Sequence, residues 1–310
     1  MKILITGVAG FIGSNLADFL IKKDYDILGI DNLSNGLIEQ IPKKVVFQNK
    51  DICSQSIYPF FKGVDIVFHL AAKNCITDCQ LDPVETVLNN VVGTVRVFEA
   101  CKRAKVKKVI YAESSAIYEG SSSFPSREVD EYPESFYAVS KMASKMFAGA
   151  YHRFSKLNII ALRYFNVYGP RQDYRRSIPP LMCALIIKLL KLEQPTIYGN
   201  GQKRRDFIYI DDVNRFHEML ITDIRSNGTT YNIGSGTNYS VMDIYNAIES
   251  VLNTGLKPIF KPDLPGEAFQ NLADISKAQN LGWSPQVDLE EGLNLSIDYI
   301  RNNVLPTMSI

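Results

Sequence analysis

Tyr137 and Lys141 stand four residues apart in Tyr137-Ala138-Val139-Ser140-Lys141. If the segment is helical, this spacing sets a phenol and an ammonium on one face. A neighbouring cation favours phenolate over phenol. Bringing a tyrosine from its usual pKa of about 10 to neutrality takes about 4 kcal/mol of differential stabilisation, and such a tyrosine is a base. The same spacing also describes an ordinary surface Tyr/Lys pair, so its context matters. Ser114 and Ser115 follow the apolar run Lys108 to Ala112. Residues just past a parallel strand are the ones a doubly wound sheet presents to a ligand. Read alone, Ser114 is equally a loop-capping hydroxyl.

Gly7, Gly10 and Gly13 form G-x-x-G-x-x-G directly after a first apolar strand and open a helix. Glycines at these positions let the backbone turn tightly, approach a pyrophosphate without a Cβ in the way, and aim helix N–H groups at the anion. Asp31 ends the second strand at the distance expected of a ribose ligand. Its carboxylate accepts from the adenosine 2′-OH and 3′-OH and would repel a 2′-phosphate, and no Arg sits beside it. The turn and the acid together predict NAD rather than NADP. A tight strand-to-helix turn without a ligand is the alternative.

These residues need a frame. Apolar, β-branched runs predict strands at Ile3 to Thr6, Asp26 to Ile30, Val45 to Gln48, Asp65 to Leu70, Lys108 to Ala112 and Asn158 to Tyr164. Helical patterns occupy Ile12 to Lys22, Val84 to Ala104 and Phe136 to Phe154. This alternation predicts an α/β fold with a doubly wound parallel sheet. After Asn166 the elements shorten and the loops lengthen. A helix is expected at Ile178 to Lys191 and a loop at YGNGQKRRDF, Tyr198 to Phe207. Without a Gly/Ser linker, this smaller part should pack on the sheet rather than flex.

Composition narrows the class. The chain has 310 residues, 34 Lys plus Arg against 33 Asp plus Glu, and a net charge of +1. A protein this neutral has no bulk field for nucleic acid or an anionic membrane. Five cysteines and three histidines, without a second Cys or His pair at ligand spacing, argue for free thiols and against a metal. The longest apolar run, Leu181 to Ile187, falls far short of the ~20 residues of a membrane span. The glycine-broken N-terminus reads as strand plus turn rather than signal peptide. A soluble, cytoplasmic protein is expected.

TGVAGFIG, Asp31-Asn32, Asp51-Ile52, HLAA (His69 to Ala72), NVVGT (Asn90 to Thr94), Ser114, Tyr137-x-x-x-Lys141, RYFNVYGPR (Arg163 to Arg171) and RRDFIYIDDV (Arg204 to Val213) occur in this order. The chain thereby resembles the extended short-chain dehydrogenase/reductases, in particular the NAD-dependent nucleotide-sugar epimerases of the UDP-glucose 4-epimerase type. The likeness runs nearly end to end. It implies a Rossmann domain over 1–165, with 206–231 returning to it. A smaller C-terminal α/β domain over 166–205 and 232–310 would bind the nucleotide sugar.

The resemblance also implies roles. Phe11, Ile12, Asn32, Leu70 and Asn90 join the glycines and Asp31 at the cofactor. Asp51 and Ile52 border the adenine. Ala71 and Ala72 line the nicotinamide-ribose path, and Tyr164 flanks the nicotinamide. Lys141 holds the ribose and lowers the Tyr137 pKa. Ser114 and Ser115 face the sugar, Asn166 and Arg205 bind the diphosphate, Tyr198 lines the nucleoside pocket, and Asn271 is the gate that tunes tolerance for an N-acetyl group. Dehydratases and decarboxylases of the family carry an acid within two residues of the serine, and here Ser115, Ala116 and Ile117 follow. A 4-epimerase is therefore expected, with a dehydratase or reductase, or a non-catalytic NAD-binding regulator, as the other readings.

The chain departs from the family pattern in four places. Lys73 to Cys79 replaces a Ser/Arg-rich stretch. Leu264-Pro265-Gly266-Glu267 lacks the Arg of a diphosphate clamp. Asn271, of intermediate size, stands at the gate position, and Glu119 interrupts the usual Tyr-Gly. Apolar residues such as Val87, Val91, Val95, Phe98, Met142, Met146 and Phe147 on the two long helices predict a two-fold, four-helix interface and hence a homodimer.

Overall fold

The computed structural model describes residues 1–176, 179–263 and 268–308. Seven strands form one sheet: β1 (Lys2–Thr6), β2 (Asp26–Asp31), β3 (Val46–Asn49), β4 (Ile66–His69), β5 (Lys108–Ser114), β6 (Ile159–Tyr164) and, late in the chain, β10 (Thr230–Ile233). Their order is β10-β6-β5-β4-β1-β2-β3, and every pairing is parallel. Strand order reverses between β1 and β4, the point at which a doubly wound sheet opens a crevice at its carboxyl ends. The strands are apolar because both faces are covered. Ile3, Ile5, Phe68, Ile110, Ile160 and Leu162 face one core. Leu4, Ile30, Val67, Val109, Tyr111 and Ala161 face the other.

The first helix, α1 (Phe11–Ile21), follows the glycine turn. Short helices α2 (Ile76–Leu81) and α3 (Pro83–Thr86) precede α4 (Thr94–Ala104), and Val87–Gly93 between them is wound as a π-helix. The expected helix over 84–104 is thus continuous but locally overwide. Helix α5 (Phe136–Ser155) carries Tyr137 and Lys141 and packs beside α4.

A second sheet joins β7 (Asn166–Tyr168), β9 (Arg204–Tyr209) and β11 (Asn238–Ser240), and a third joins β8 (Thr196–Tyr198) with β12 (Ile259–Lys261). Helices α6 (Leu181–Leu190) and α8 (Val241–Leu252) pack together beside them. Helix α7 (Ile210–Thr222) returns to pack on α1.

Three expectations are corrected. Arg204 to Phe207 is strand rather than loop, because β9 finds partners on both sides and buries Asp206 and Phe207. The return to the large sheet is made by α7 and β10 and ends at Ile233, whereas residues 206–209 pair in the three-stranded sheet. Helix α6 begins at Leu181, because Pro180 sits with extended ψ (141°) as its N-cap and a proline disfavours helical backbone in the residue before it. Ile178 and Leu264 to Glu267 lie outside the described residues.

Candidate active site

A cleft of about 1180 Å³ runs along the carboxyl ends of the large sheet and under the smaller sheets. One drug-sized ligand occupies roughly 300–1,000 Å³, so this cleft is roomy enough for a dinucleotide with a second molecule beside it.

At one end, Gly7 adopts φ +74, and a Cβ there would come within 2.7 Å of the Ala71 nitrogen; a Cβ on Gly13 would stand 2.1 Å from the Gly7 carbonyl. No side chain fits in either place. The turn holds α1 with its N-terminus uncapped by any side chain and with no acid in its first turn, which leaves the positive helix end for an anion. Asp31 is held by the Ala9 N–H (3.0 Å) and the Leu33 N–H (2.8 Å). Burial raises its carboxyl pKa, and these backbone donors oppose the rise. This cradle, followed by Ile52, Leu70, Ala71 and Ala72 along the cleft, suits a dinucleotide pyrophosphate with its adenosine beside Asp31.

In the middle, Ser114, Tyr137, Lys141 and Tyr164 line the same cleft. Ser114 ends β5 opposite Tyr164 at the end of β6. The Ser114 Oγ accepts from the Ala116 N–H at 3.2 Å. Lys141 donates to the Ala112 carbonyl at 2.9 Å, and its Nζ lies 5.8 Å from the Tyr137 ring centroid. Burial pushes the phenol up to about 12, against a hydrogen bond with Ser114 and the charge of Arg176. Burial likewise pushes Lys141 down to about 8. A dry site penalises both charged forms. Tyr164 pairs its hydroxyl with His217 Nε2 at 2.6 Å.

At the far end, Asn166 Nδ2 donates to the Asp206 carbonyl (2.9 Å) and to Asn271 Oδ1 (3.2 Å), and Asn271 Oδ1 also accepts from the Asp206 N–H (2.8 Å). Asp206 in turn takes N–H bonds from Ser235, Gly236 and Ala273. This buried carboxylate ties β9 to two loops and so places Arg205, next in the chain, at the cleft. Arg205 Nη1 donates to the Arg204 and Phe269 carbonyls. Tyr198 lines the same region.

Of the residues singled out from sequence, the cleft gathers all but two. Asp51 accepts from the Cys53 N–H (2.7 Å) and Asn32 Nδ2 (3.4 Å) outside it. Asn90 is buried behind it, bridging the Lys73 backbone and Ser140. Sequence reasoning did not assign Asn74, Glu119 or Arg176 to the cleft, which they line. Arg176 donates to Asn74 Oδ1 at 2.8 Å. No local pattern marks these three, since each reaches the cleft from a different loop.

The chain is similar to known proteins over nearly its whole length. Residues 3–234 match the family model described as the NAD dependent epimerase/dehydratase family. The UDP-glucose 4-epimerase of Mycolicibacterium smegmatis is 32% identical, covering 97% of this chain and 99% of its own. The crystal structure of a UDP-glucose 4-epimerase with UDP-glucose from Thermotoga maritima superposes with a TM-score of 0.95 at 31% identity, covering 98% of this chain and 100% of the other. A UDP-glucuronic acid 4-epimerase from Bacillus cereus, in complex with UDP-glucuronic acid and NAD, superposes with a TM-score of 0.90 at 34% identity, covering 97% and 99%.

Proposed function

We propose that this chain, which belongs to the NAD dependent epimerase/dehydratase family, inverts C4 of a UDP-sugar through a 4-keto intermediate. The observation that carries the reading is one cleft holding the glycine cradle and Asp31, the Ser114/Tyr137/Lys141 set, and Asn166, Tyr198 and Arg205. The cofactor is NAD, held by the Gly7-to-Gly13 turn, Asp31 and Lys141. When bound, it supplies a hydride acceptor that can return what it took.

Tyr137 removes the proton from the sugar 4-hydroxyl. Ser114, which lines the cleft beside Tyr137, donates to the same oxygen, so that developing charge is never bare. Arg205 and the pinned Asn166/Asn271 pair grip the diphosphate. The pocket holds the nucleotide firmly and the sugar loosely, because the ketone must present its other face. Ser114 and Tyr137 then return the proton to C4–O.

The acids near the serine favour epimerisation over elimination. The Glu113 carboxylate is bound by Arg163 (2.8 Å) and Tyr111. The Glu119 carboxylate is bound by Ser135 (2.9 and 3.1 Å). Both carboxylates are thus held by partners within the protein. A panel of UDP-glucose, UDP-N-acetylglucosamine and UDP-glucuronate, with GDP-, CDP- and dTDP-sugars alongside, tests this with products resolved by NMR. The expected result is a 4-epimer of at least one UDP-sugar with no net NADH. Stoichiometric NADH, or a 4-keto-6-deoxy product, would establish a dehydrogenase or dehydratase instead.

The working form is a homodimer. Val84 (71% exposed), Val87 and Leu88 beside Val139, Met146 (72%) and Phe147 give α3, the π-helical turn and α5 a shared apolar face. Phe98 belongs to the core. A second copy covers such a face most simply by two-fold pairing. Light scattering at micromolar concentration is expected to give twice the mass of 34.9 kDa. A mass of one chain rejects the dimer.

A further inference from the structure

Glu119 stands where the serine segment makes its turn, a position that the proposed reaction leaves unassigned. Ser115–Tyr118 forms a single 3-10 turn after β5. Tyr132 clasps that turn: its N–H donates to the Ile117 carbonyl at 2.8 Å, and its carbonyl accepts from the Gly120 N–H at 2.9 Å. The clasp sets Glu119 opposite Ser135. The Glu119 carboxylate accepts from the Ser135 N–H at 2.9 Å with one oxygen and from the Ser135 hydroxyl at 3.1 Å with the other. Ser135 is the N-cap of α5, and its Oγ accepts from the Ala138 N–H at 3.1 Å. Tyr137 lies in the first turn of that helix.

A serine hydroxyl left to itself rotates among three rotamers and caps its helix only part of the time. A carboxylate receiving its proton fixes it with the lone pair toward Ala138. The bonds therefore run without a break from the turn after Ser114, through Glu119 and Ser135, to the helix start that carries Tyr137.

We propose that Glu119 is a positioning residue that locks the Tyr137 helix to the Ser114 turn and so sets the two hydroxyls in reacting register. The proposal rests on the reading of Tyr137 as the base. It also carries an electrostatic signature. The groups facing the buried Tyr137 phenol are Ser114 from the end of β5, Cys79 from α2, Arg176 from the loop before α6, Glu119 from the turn, and Lys141 on its own helix. Burial is the largest influence and raises its pKa, Ser114 and Arg176 lower it, and Cys79 and Glu119 raise it. Loss of the Glu119 charge lowers the pKa of the phenol while loss of its bonds loosens the register.

The test compares Glu119→Ala, Glu119→Gln and Tyr137→Phe in the full-length, NAD-loaded protein. Turnover is followed from pH 5 to 10 on whichever of UDP-glucose, UDP-N-acetylglucosamine or UDP-glucuronate the wild type epimerises. Displacement of reacting groups by about 1 Å costs up to about a hundredfold. Glu119→Ala is expected to lose roughly ten- to a hundredfold in kcat, with KM within about twofold. Glu119→Gln still accepts from the Ser135 N–H and should recover most of that loss. In both, the limb of kcat that rises with pH should move to lower pH. A purely structural residue would change melting temperature and leave that limb where it was. If Tyr137→Phe is inactive while Glu119→Ala keeps wild-type kcat and an unmoved limb, the positioning role is wrong and the base assignment stands. If Tyr137→Phe turns over normally, both fail.

Discussion

Tyr137→Phe is expected to lower turnover by roughly 10²–10⁴-fold while leaving the affinities for the nucleotide sugar and for NAD nearly unchanged. Phenylalanine keeps the ring in a site that is 8% exposed and removes only the hydroxyl. The nearby imidazole, His69, is a poor substitute for it. Its ring nitrogens are engaged by Thr6 (2.7 Å) and Thr94 (2.9 Å). Burial, assisted by the Lys141 charge, holds its pKa down at about 3. Because burial pushes the phenol up to about 12 in the protein alone, wild-type turnover should rise with pH as the base forms, and the residual activity of the Phe variant should lack that rise. Single-turnover kinetics with the accepted UDP-sugar separates this loss from any loss of binding. Near-normal turnover rejects the mechanism. So does solvent deuterium at the inverted carbon, because the hydride that returns is the one that left.

Arg163→Met should destabilise the fold by about 3–5 kcal/mol, the usual result of removing one partner from a buried ionic network. Arg163 is fully buried. Its guanidinium donates to Glu113 (2.8 Å), to the Tyr118 hydroxyl (2.8 Å), to the Glu128 carbonyl (2.8 Å) and to Glu131. Glu131 is also paired with Lys145 on α5. Methionine fills much of the volume and leaves Glu113 buried with only Tyr111 as a partner. The sign of the pH dependence follows from Glu131. Burial works against its charge, but Lys145 and Arg163 outweigh burial and hold its carboxyl below the ordinary value of 4.5. That contribution is complete above pH 4.5 and is lost as pH falls through the lower folded-state value. The gap between wild type and variant should therefore be widest near neutrality and narrow below pH 4.5. Urea denaturation from pH 3 to 7 checks both statements. A gap under ~1 kcal/mol at neutrality would place the network among those that contribute little.

Much of the candidate site was legible in the sequence because its signals are local. The glycine turn must accept φ +74 at Gly7 and a Gly7–Gly13 approach that excludes any Cβ, and both demands fall within seven consecutive residues. Tyr137 and Lys141 share a face because a helix repeats every 3.6 residues, and the helix formed where its pattern predicted. The end of β5 was misread by two residues, since the strand continues to Ser114. Polar residues at carboxyl ends do not look apolar, even when the ladder continues through them.

The sequence by itself determined the order of strand, turn and helix, the dinucleotide cradle, and the residue types of the Ser/Tyr/Lys set, since backbone sterics and periodicity act over a few residues. Only the tertiary structure decided which distant groups meet. The β5–β6 register sets Glu113 against Arg163 and Ser114 against Tyr164. Arg204 to Phe207 became strand because β7 and β11 were there to pair with it. Glu119 read as an interruption of a motif until the fold brought it to Ser135, 16 residues along the chain. The ionisation of Tyr137 was likewise undecided by spacing. Its cation lies four residues away in sequence, but burial, the largest influence on the phenol, raises its pKa, and burial belongs to the assembled fold, where taking a charge out of water is costly.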